Sequence, residues 1–214
     1  LGSDCCLAAD LYKPESETVL YNSIPEVIAS FSDSKVDFAL IPVYNTREGE
    51  VKEYFRLMEE LERGYWVDNI VMPIHLSLGA FNDAQSSENV KFIYGRASVF
   101  KQCEEYIAAN MPKATLVCVH DLESSITDLL EGENQNVVLI ETEEIIRRFG
   151  LQLMERELAP HNRTRFAVIS NTPHERTGYD ATSIITRPLP DRVGLLADTL
   201  NEFTRRGINM LDLR

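Results

Sequence analysis

The sequence predicts an α/β fold, and two observations carry that expectation. From Val36 to Phe149, short apolar and β-branched runs alternate with stretches in which apolar residues recur every third or fourth position. Strand and helix patterns in alternation imply a mainly parallel sheet with helices on its faces. The second observation is bulk: 214 residues, 44% hydrophobic and 26% charged, describe an ordinary globular chain. A chain of that length buries about 70% of its unfolded surface, so it needs neither metal nor disulfide for stability.

Asp4–Tyr12 (DCCLAADLY) reads as a helix and Glu17–Leu20 as a short strand. Ser23-Ile24-Pro25-Glu26 opens a second helix, because a serine hydroxyl caps free N–H groups and proline fits the first turn. Val36–Val43 has the length and apolar content of a buried strand. Apolar residues at 51, 54, 55, 58 and 61, with charges between them, predict an amphipathic helix. Ile70–Ala80 is an extended apolar run broken by Pro73, and Asn82–Asn89 is a polar loop. Strands at Lys91–Tyr94, Ala114–Val119 and Asn136–Ile140 then alternate with helices at Ser98–Ala109, Leu122–Leu130 and Glu143–Phe149. A strand at Arg165–Ile169 precedes Asn171–Asp180, whose Thr, Pro, Gly and charged residues mark a linker. Past the linker come strand Thr182–Arg187, a helix start at Pro190-Asp191 and an apolar stripe of Val193, Leu196, Leu200 and Phe203. Gly207 stops that helix, and Ile208–Leu213 is a further strand. About 35 residues cannot form a core alone, so this tail reads as part of a second domain cut short.

The charge is strongly acidic, with 34 Asp+Glu against 21 Lys+Arg and a net −13. Residues 121–157 hold 10 of the acids and 3 arginines, as expected of solvated helical faces. The balance excludes non-specific nucleic-acid binding, which needs a basic surface, but not a small anionic ligand met by a few local arginines. Cys5 and Cys6 are adjacent, and Cys103 and Cys118 match no zinc spacing. Four thiols without a framework fit a reducing compartment, and a cytoplasmic location is expected. No apolar run approaches the roughly 18–20 residues that span a bilayer. No phosphate-cradling glycine motif is present, which removes nucleotide-dependent chemistry.

Several segments, in order, resemble the prephenate dehydratase family. His161-Asn162-Arg163-Thr164-Arg165-Phe166 is similar to the N-x-T-R-F signature on the last strand of that family's catalytic domain. Ile41-Pro42-Val43-Tyr44-Asn45-Thr46-Arg47-Glu48-Gly49-Glu50-Val51 resembles V-P-I-E-N-S-x-x-G-x-V. Pro73-Ile74 with His75 and Leu76 resembles P-I-x-H-x-L after a one-residue shift, and Gln102-Cys103 the end of S-H-P-Q-A-L-x-Q-C. Gly2-Ser3-Asp4-Cys5 before Ala8-Ala9 is similar to G-T-F-S and its alanine pair, so the family's first strand would precede Leu1. Pro190-Asp191-Arg192-Val193-Gly194-Leu195-Leu196 through Gly207-Ile208-Asn209 resembles the start of an ACT regulatory domain. Several positions depart: Tyr44 replaces the acid and Thr46 the serine of E-N-S, Gly95-Arg96-Ala97-Ser98 replaces S-H-P-Q, and Asp121-Leu122 replaces a Ser-Thr pair.

The resemblance implies a two-lobed, type II periplasmic-binding-protein-like catalytic domain over residues 1–170, followed by a partial ACT domain of α+β type over 178–214. Lobe 1 would be 1–77 with 157–170, and lobe 2 78–156. It implies a lyase that converts prephenate to phenylpyruvate, with phenylalanine as effector, no metal or organic cofactor, no membrane partner, and a homodimer or homotetramer. Thr164 is the expected catalytic residue, a positioned hydroxyl donor; as a strand residue it is also explained by β-propensity. Asn162-Arg163-Thr164 spells a glycosylation acceptor as well, meaningless in the cytoplasm. Ser3, Asn45 and Thr46 begin or precede helices, where donors converge on anions but turn and capping residues also sit. Arg96 stands where the family has a histidine, and a guanidinium there would grip a carboxylate or simply sit on a surface turn. Arg165 is an expected substrate-binding residue that, pointing away from Thr164 on a strand, would alternatively brace the site or the second domain, while Phe166 returns to the Thr164 face as pocket wall or core. Gly194, Leu195 and Leu196 are the expected effector contacts. A diverged enzyme that acts on a related cyclohexadiene acid or decarboxylates prephenate without aromatising it, and a non-catalytic small-molecule-binding or sensing protein, are the alternatives.

Overall fold

A computed structural model of the chain describes residues 4–51, 58, 61, 64–81, 89–132, 136–182, 184 and 192–211. The chain divides into two units, Leu1–Glu175 and Arg176–Arg214.

The first unit holds two sheets. Sheet 1 has the order β2-β1-β9-β3, with β1 (Phe38–Asn45), β2 (Gly49–Glu50), β3 (Tyr65–Pro73) and β9 (Arg163–Ser170). Every pairing in it is antiparallel. The central strand β9 is buried on both faces. One face packs under α1 (Asp4–Tyr12), where Ala8 meets Ile70, Phe166 and Val168. The other packs under α2 (Ile24–Ser32), where Ile28 and Phe31 meet Ala39, Ile41, Val43, Ala167 and Ile169. Burial on two sides explains the continuous apolar run at the end of β9. The expected cap holds: the Ser23 hydroxyl accepts from the Glu26 N–H at 3.4 Å, and the Glu26 carboxylate accepts from the Asn22 N–H at 2.9 Å.

Sheet 2 has the order β6-β5-β7-β4-β8, with β4 (Ser77–Ala80), β5 (Phe92–Gly95), β6 (Thr115–Cys118), β7 (Val137–Glu141) and β8 (Gln152–Glu155). β5 runs parallel to β6 and β7, because helical crossovers connect these strands. Those helices are α3 (Ala97–Gln102), α4 (Glu104–Asn110) and α5 (Leu122–Glu131); α6 (Glu143–Arg148) joins β7 to β8. β7 is buried throughout. Val138 and Ile140 lie in one cluster with Leu78, Ile93 and Phe100, and Leu139 in another with Ile126, Ile145 and Ile146.

The α/β class holds, but the expectation of a mainly parallel sheet does not. Among the described pairings only β5–β6 and β5–β7 are parallel. β4 lies antiparallel between β7 and β8, and β9 returns from sheet 2 to insert antiparallel between β1 and β3. Glu17–Leu20 forms no strand; Val19 and Leu20 are about half exposed and the segment is irregular. The helix expected over Ser98–Ala109 is two helices meeting at the buried turn residue Cys103. The Ile70–Ala80 run is two strands, with Pro73 ending the first. The helix expected from Val51 and the loop at Asn82–Asn89 fall mostly outside the described residues. Met58 and Leu61, which are described, pack on the α2 cluster.

The second unit contains α7 (Leu195–Arg205), and none of its helical residues is buried. Gly207 ends it as expected: at φ +66° it adopts the left-handed conformation open to glycine, and its N–H donates to Thr204 O at 3.0 Å. Ile208–Leu211 is irregular rather than a strand. Pro190-Asp191 and most of Thr182–Arg187 lie outside the described residues.

Candidate active site

The site forms where sheet 1 meets the helices of sheet 2. β9 carries Thr164 on the α1 face, one pleat before Phe166, with only 9% of its surface exposed. Opposite Thr164 stands Asn45, at the end of β1. Strand alternation alone would not put it there. Ala39, Ile41 and Val43 pack under α2, so an unbroken β1 would send the next odd-numbered residue, Asn45, to the α2 side as well. A register shift between Pro42 and Tyr44 leaves Val43 as an extra residue, pairs Tyr44 with Arg165 and turns Asn45 onto the face of Thr164. Proline lacks the N–H that a regular ladder needs, which suits a bulge.

The Asn45 amide is fully engaged. Its Oδ1 accepts from the N–H groups of Arg47 (2.8 Å) and Glu48 (3.0 Å) in the β1–β2 turn. Its Nδ2 donates to Asn162 Oδ1 and to Thr164 Oγ1, both at 2.9 Å. Two backbone donors fix which end is oxygen, so toward Thr164 the amide is a donor. A hydroxyl that accepts from an N–H keeps its own hydrogen for another acceptor, and Asn45 has none left to offer. From Asn162, Nδ2 donates to Gln102 Oε1 at 2.7 Å, and Gln102 Nε2 donates to Glu48 Oε1 at 2.5 Å. This links α3, which packs on sheet 2, to the β1–β2 turn of sheet 1. Arg47 adds bonds to Glu105 (2.7 Å) and to the Pro160 carbonyl (2.8 Å), and Lys101 donates to the Glu48 carbonyl at 3.0 Å.

A second polar cluster follows β5 and ends β7. Arg96 donates from Nε to Glu141 Oε1 at 2.8 Å and its Nη2 forms an ion pair with the same oxygen at 2.6 Å, while Glu141 Oε2 accepts from the Thr142 N–H at 2.9 Å. The Glu141 side chain is 1% exposed and that of Arg96 43%. Asp4, at the start of α1, lies within electrostatic reach of both. Burial lifts its carboxyl above the ordinary aspartate range, Arg96 opposes the rise and Glu141 adds to it. The thiols are poor nucleophiles: burial pushes Cys103 up to about 12 and Cys5 up to about 11, so both stay protonated near neutral pH. Among the described residues no group of three or more His, Cys, Asp or Glu is gathered to hold a metal.

Asn45 and Thr164 therefore come together. Thr46 is beside them, but its hydroxyl donates to the His161 carbonyl at 3.2 Å and accepts from the Arg163 N–H at 2.9 Å. It staples the turn to the start of β9 instead of facing a ligand. Phe166 is 1% exposed within the α1 cluster, hence core rather than pocket wall. Arg165 is exposed and paired in register with Tyr44, opposite in direction to Thr164 as expected. Arg96 is no free carboxylate clamp, because a buried carboxylate already holds its guanidinium. His75 lies between β3 and β4 and hydrogen-bonds Glu157. Ser3 lies outside the described residues. In the second unit Gly194 precedes α7 in the left-handed conformation, Leu196 is 60% exposed, and Leu195 lines a surface hollow with Arg192, Asp198 and Glu202. Site-level reading of the sequence missed Glu48, Gln102, Asn162 and Glu141. Glu141 had a trace: an acid closing the apolar run Val137–Ile140.

Two helix-covered sheets with a polar network at their junction make a mixed α/β fold. The chain belongs to the prephenate dehydratase family, whose model matches residues 4–174. The bifunctional chorismate mutase/prephenate dehydratase of Aquifex aeolicus is 28% identical over 189 residues, covering 88% of this chain and 51% of that protein. The chain thus spans about half the length of that relative. The prephenate dehydratase of Arthrobacter aurescens in complex with L-Phe is similar in structure, with a TM-score of 0.74 at 20% identity, over 100% of this chain and 72% of that one. GqqA, described as a novel type of quorum quenching acylase, has a TM-score of 0.67 at 18% identity, over 100% and 77%. At such identities the structural likeness establishes the fold, and a shared fold does not fix the reaction. Among the described residues no helix is long and apolar enough to cross a membrane.

Proposed function

We propose that this chain carries the lyase activity of its family, converting prephenate to phenylpyruvate, carbon dioxide and water. The observation that supports the reading best is the half of the Thr164–Asn45 bond that is left over: a buried hydroxyl whose hydrogen remains free to donate. In the reaction the ring carboxylate leaves as carbon dioxide and its C–C bonding pair enters the ring. The ring C–O bond breaks at the same time, and the departing hydroxide takes a proton to become water. Aromatisation drives the step, so the protein's task is to orient the substrate and stabilise the charge that develops on the leaving oxygen. Thr164 suits that task as a hydrogen-bond donor; its hydroxyl is too weak an acid to surrender the proton. Loss of one such donor costs roughly 10²–10³ in kcat, about 3 kcal/mol. Thr164→Val should therefore lower phenylpyruvate formation at least a hundredfold in an assay that follows its absorbance. A near-wild-type rate would overturn the role of Thr164.

Under this reading the catalytic domain covers 1–170 and residues 178–214 are part of an ACT domain that takes phenylalanine beside Gly194, Leu195 and Leu196. The protein acts as a cytoplasmic homodimer or homotetramer. A second reading, a diverged enzyme for a related cyclohexadiene acid, draws support from Arg96. Its charge is matched by Glu141, so that corner offers a second ligand carboxylate little net attraction. Loss of prephenate without phenylpyruvate would favour it.

A further inference from the structure

The polar network at the lobe junction closes on itself. The Glu48 N–H donates to Asn45 Oδ1 (3.0 Å), Asn45 Nδ2 to Asn162 Oδ1 (2.9 Å), Asn162 Nδ2 to Gln102 Oε1 (2.7 Å), and Gln102 Nε2 to Glu48 Oε1 (2.5 Å). All four bonds run the same way round. Thr164 hangs from this ring as a branch, accepting the second N–H of Asn45 at 2.9 Å.

A side-chain amide can present either end, so three amides in series have a direction that something must set. Glu48 takes part in the ring through its carboxylate and again through its backbone N–H, and the two favour the same direction. An ionised carboxylate only accepts, so Gln102 turns its NH2 toward Glu48 and its carbonyl toward Asn162. Asn162 then donates to Gln102 and shows Oδ1 to Asn45. The Glu48 backbone N–H, with that of Arg47, takes the Asn45 carbonyl and leaves only N–H groups facing Asn162 and Thr164. In the reverse direction the Asn45 carbonyl would face Thr164 and absorb its hydrogen. The bond to the charged acceptor is the strong one, and bonds in a ring polarise one another in the direction it sets.

We propose that the Glu48 carboxylate is a positioning group: by orienting Gln102 and Asn162 it presents an acceptor to Asn45, in agreement with the two backbone N–H groups that fix the Asn45 carbonyl, and so keeps the Thr164 hydroxyl a donor toward the substrate. Glu48 occupies a variable position of the V-P-I-E-N-S-x-x-G-x-V pattern, so the family resemblance does not demand it. The proposal rests on the reading of Thr164 given above.

The test compares wild type, Glu48→Gln, Glu48→Lys and Thr164→Val in the prephenate assay, with melting temperature and the side-chain NH2 signals of Asn45 and Gln102 recorded by NMR. Gln keeps an acceptor oxygen, so Glu48→Gln should stay within about threefold of wild type in kcat. Lys offers only donors and sets N–H against N–H, so Glu48→Lys should lose about tenfold or more in kcat with KM nearly unchanged. Slow exchange of the Asn45 NH2 should survive in the first variant and disappear in the second. If Glu48→Lys does not fold, Gln102→Glu poses the same conflict with two acceptors face to face and should show the same kcat loss. A wild-type kcat in Glu48→Lys, or equal losses in Glu48→Gln and Glu48→Lys, overturns the proposal. If instead wild type makes no phenylpyruvate, or Thr164→Val matches it, the reading of Thr164 fails. The NMR then decides for the ring alone: Asn45 protection unchanged in Glu48→Lys overturns it, and selective loss supports it.

Discussion

The Arg96–Glu141 pair should respond unequally to loss of its two members. Glu141 is 1% exposed and receives two N–H groups, Nε of Arg96 and the backbone N–H of Thr142, with Arg96 Nη2 in an ion pair at 2.6 Å. Arg96 is 43% exposed and reaches water along its other edge. Arg96→Met removes the guanidinium and leaves a buried carboxylate with one hydrogen bond, from the Thr142 N–H. Breaking a buried pair in that way costs about 3–5 kcal/mol, and water at the vacated half-open side places this case near 3. Glu141→Gln keeps an oxygen for the Arg96 Nε and frees a guanidinium that can turn to solvent, so about 1 kcal/mol is expected. In a domain of this size about 3 kcal/mol lowers the melting temperature by roughly 6–12 °C and about 1 kcal/mol by roughly 2–4 °C. Arg96→Lys should fall between them, since it keeps the charge but loses the fork. Urea unfolding at pH 7 gives the three values directly. Equal costs for the two partners, or a larger one for Glu141→Gln, would refute the claim that burial of the carboxylate governs the pair.

Two further perturbations test other parts of the structure. Asp4 has a folded-state carboxyl raised above 3.8 by burial, so between 3.8 and that raised value the folded state holds the proton longer than the unfolded chain. Stability from this group is thus present below 3.8 and lost as pH rises through the folded value. Asp4→Asn should raise the melting temperature at pH 7 and lose that advantage below pH 3.8 in a calorimetric series; a lower melting temperature at pH 7 would show that Arg96 outweighs desolvation. Gly79→Ala in β4 would set a Cβ 3.0 Å from Cγ1 and Cγ2 of the fully buried Ile146, and overpacking of that kind costs about 1–3 kcal/mol. In an Ile146→Ala background the added methyl should cost less, and strict additivity of the two changes would exclude the clash.

Much of the fold was legible because burial leaves a periodic trace. The cap at Ser23, the strand read at Asn136–Ile140 and the stop at Gly207 all depend on residue types in a local pattern, which one sequence displays. Strand direction left no such trace. A helical crossover forces parallel neighbours within β5, β6 and β7, but the insertion of β9 between β1 and β3 is settled by contacts 90 or more residues apart in sequence, such as Phe38 with Ser170 and Pro73 with Arg163. β8 escaped notice for a related reason. Gln152–Glu155 is a short, half-exposed strand on a sheet edge, with too little apolar alternation to mark it.

The site divides along the same line. Residue identity singled out Thr164 and Asn45, because a hydroxyl and an amide in an ordered set of motifs are unusual company. What makes the pair a candidate donor is geometry with no sequence counterpart. The bulge at Val43 exchanges the faces of every residue after it, and counting along β1 alone would have sent Asn45 to the wrong side. The same shift explains why Tyr44, standing where the family has its acid, is 38% exposed beside Arg165 and away from Thr164. A carboxylate at residue 44 on this backbone would face Arg165 rather than the ring. The loss of that acid therefore leaves the Asn45–Thr164 pair untouched, and among the described residues the pair is hydrogen-bonded through Asn162 and Gln102 to another carboxylate, that of Glu48, four residues further along the chain.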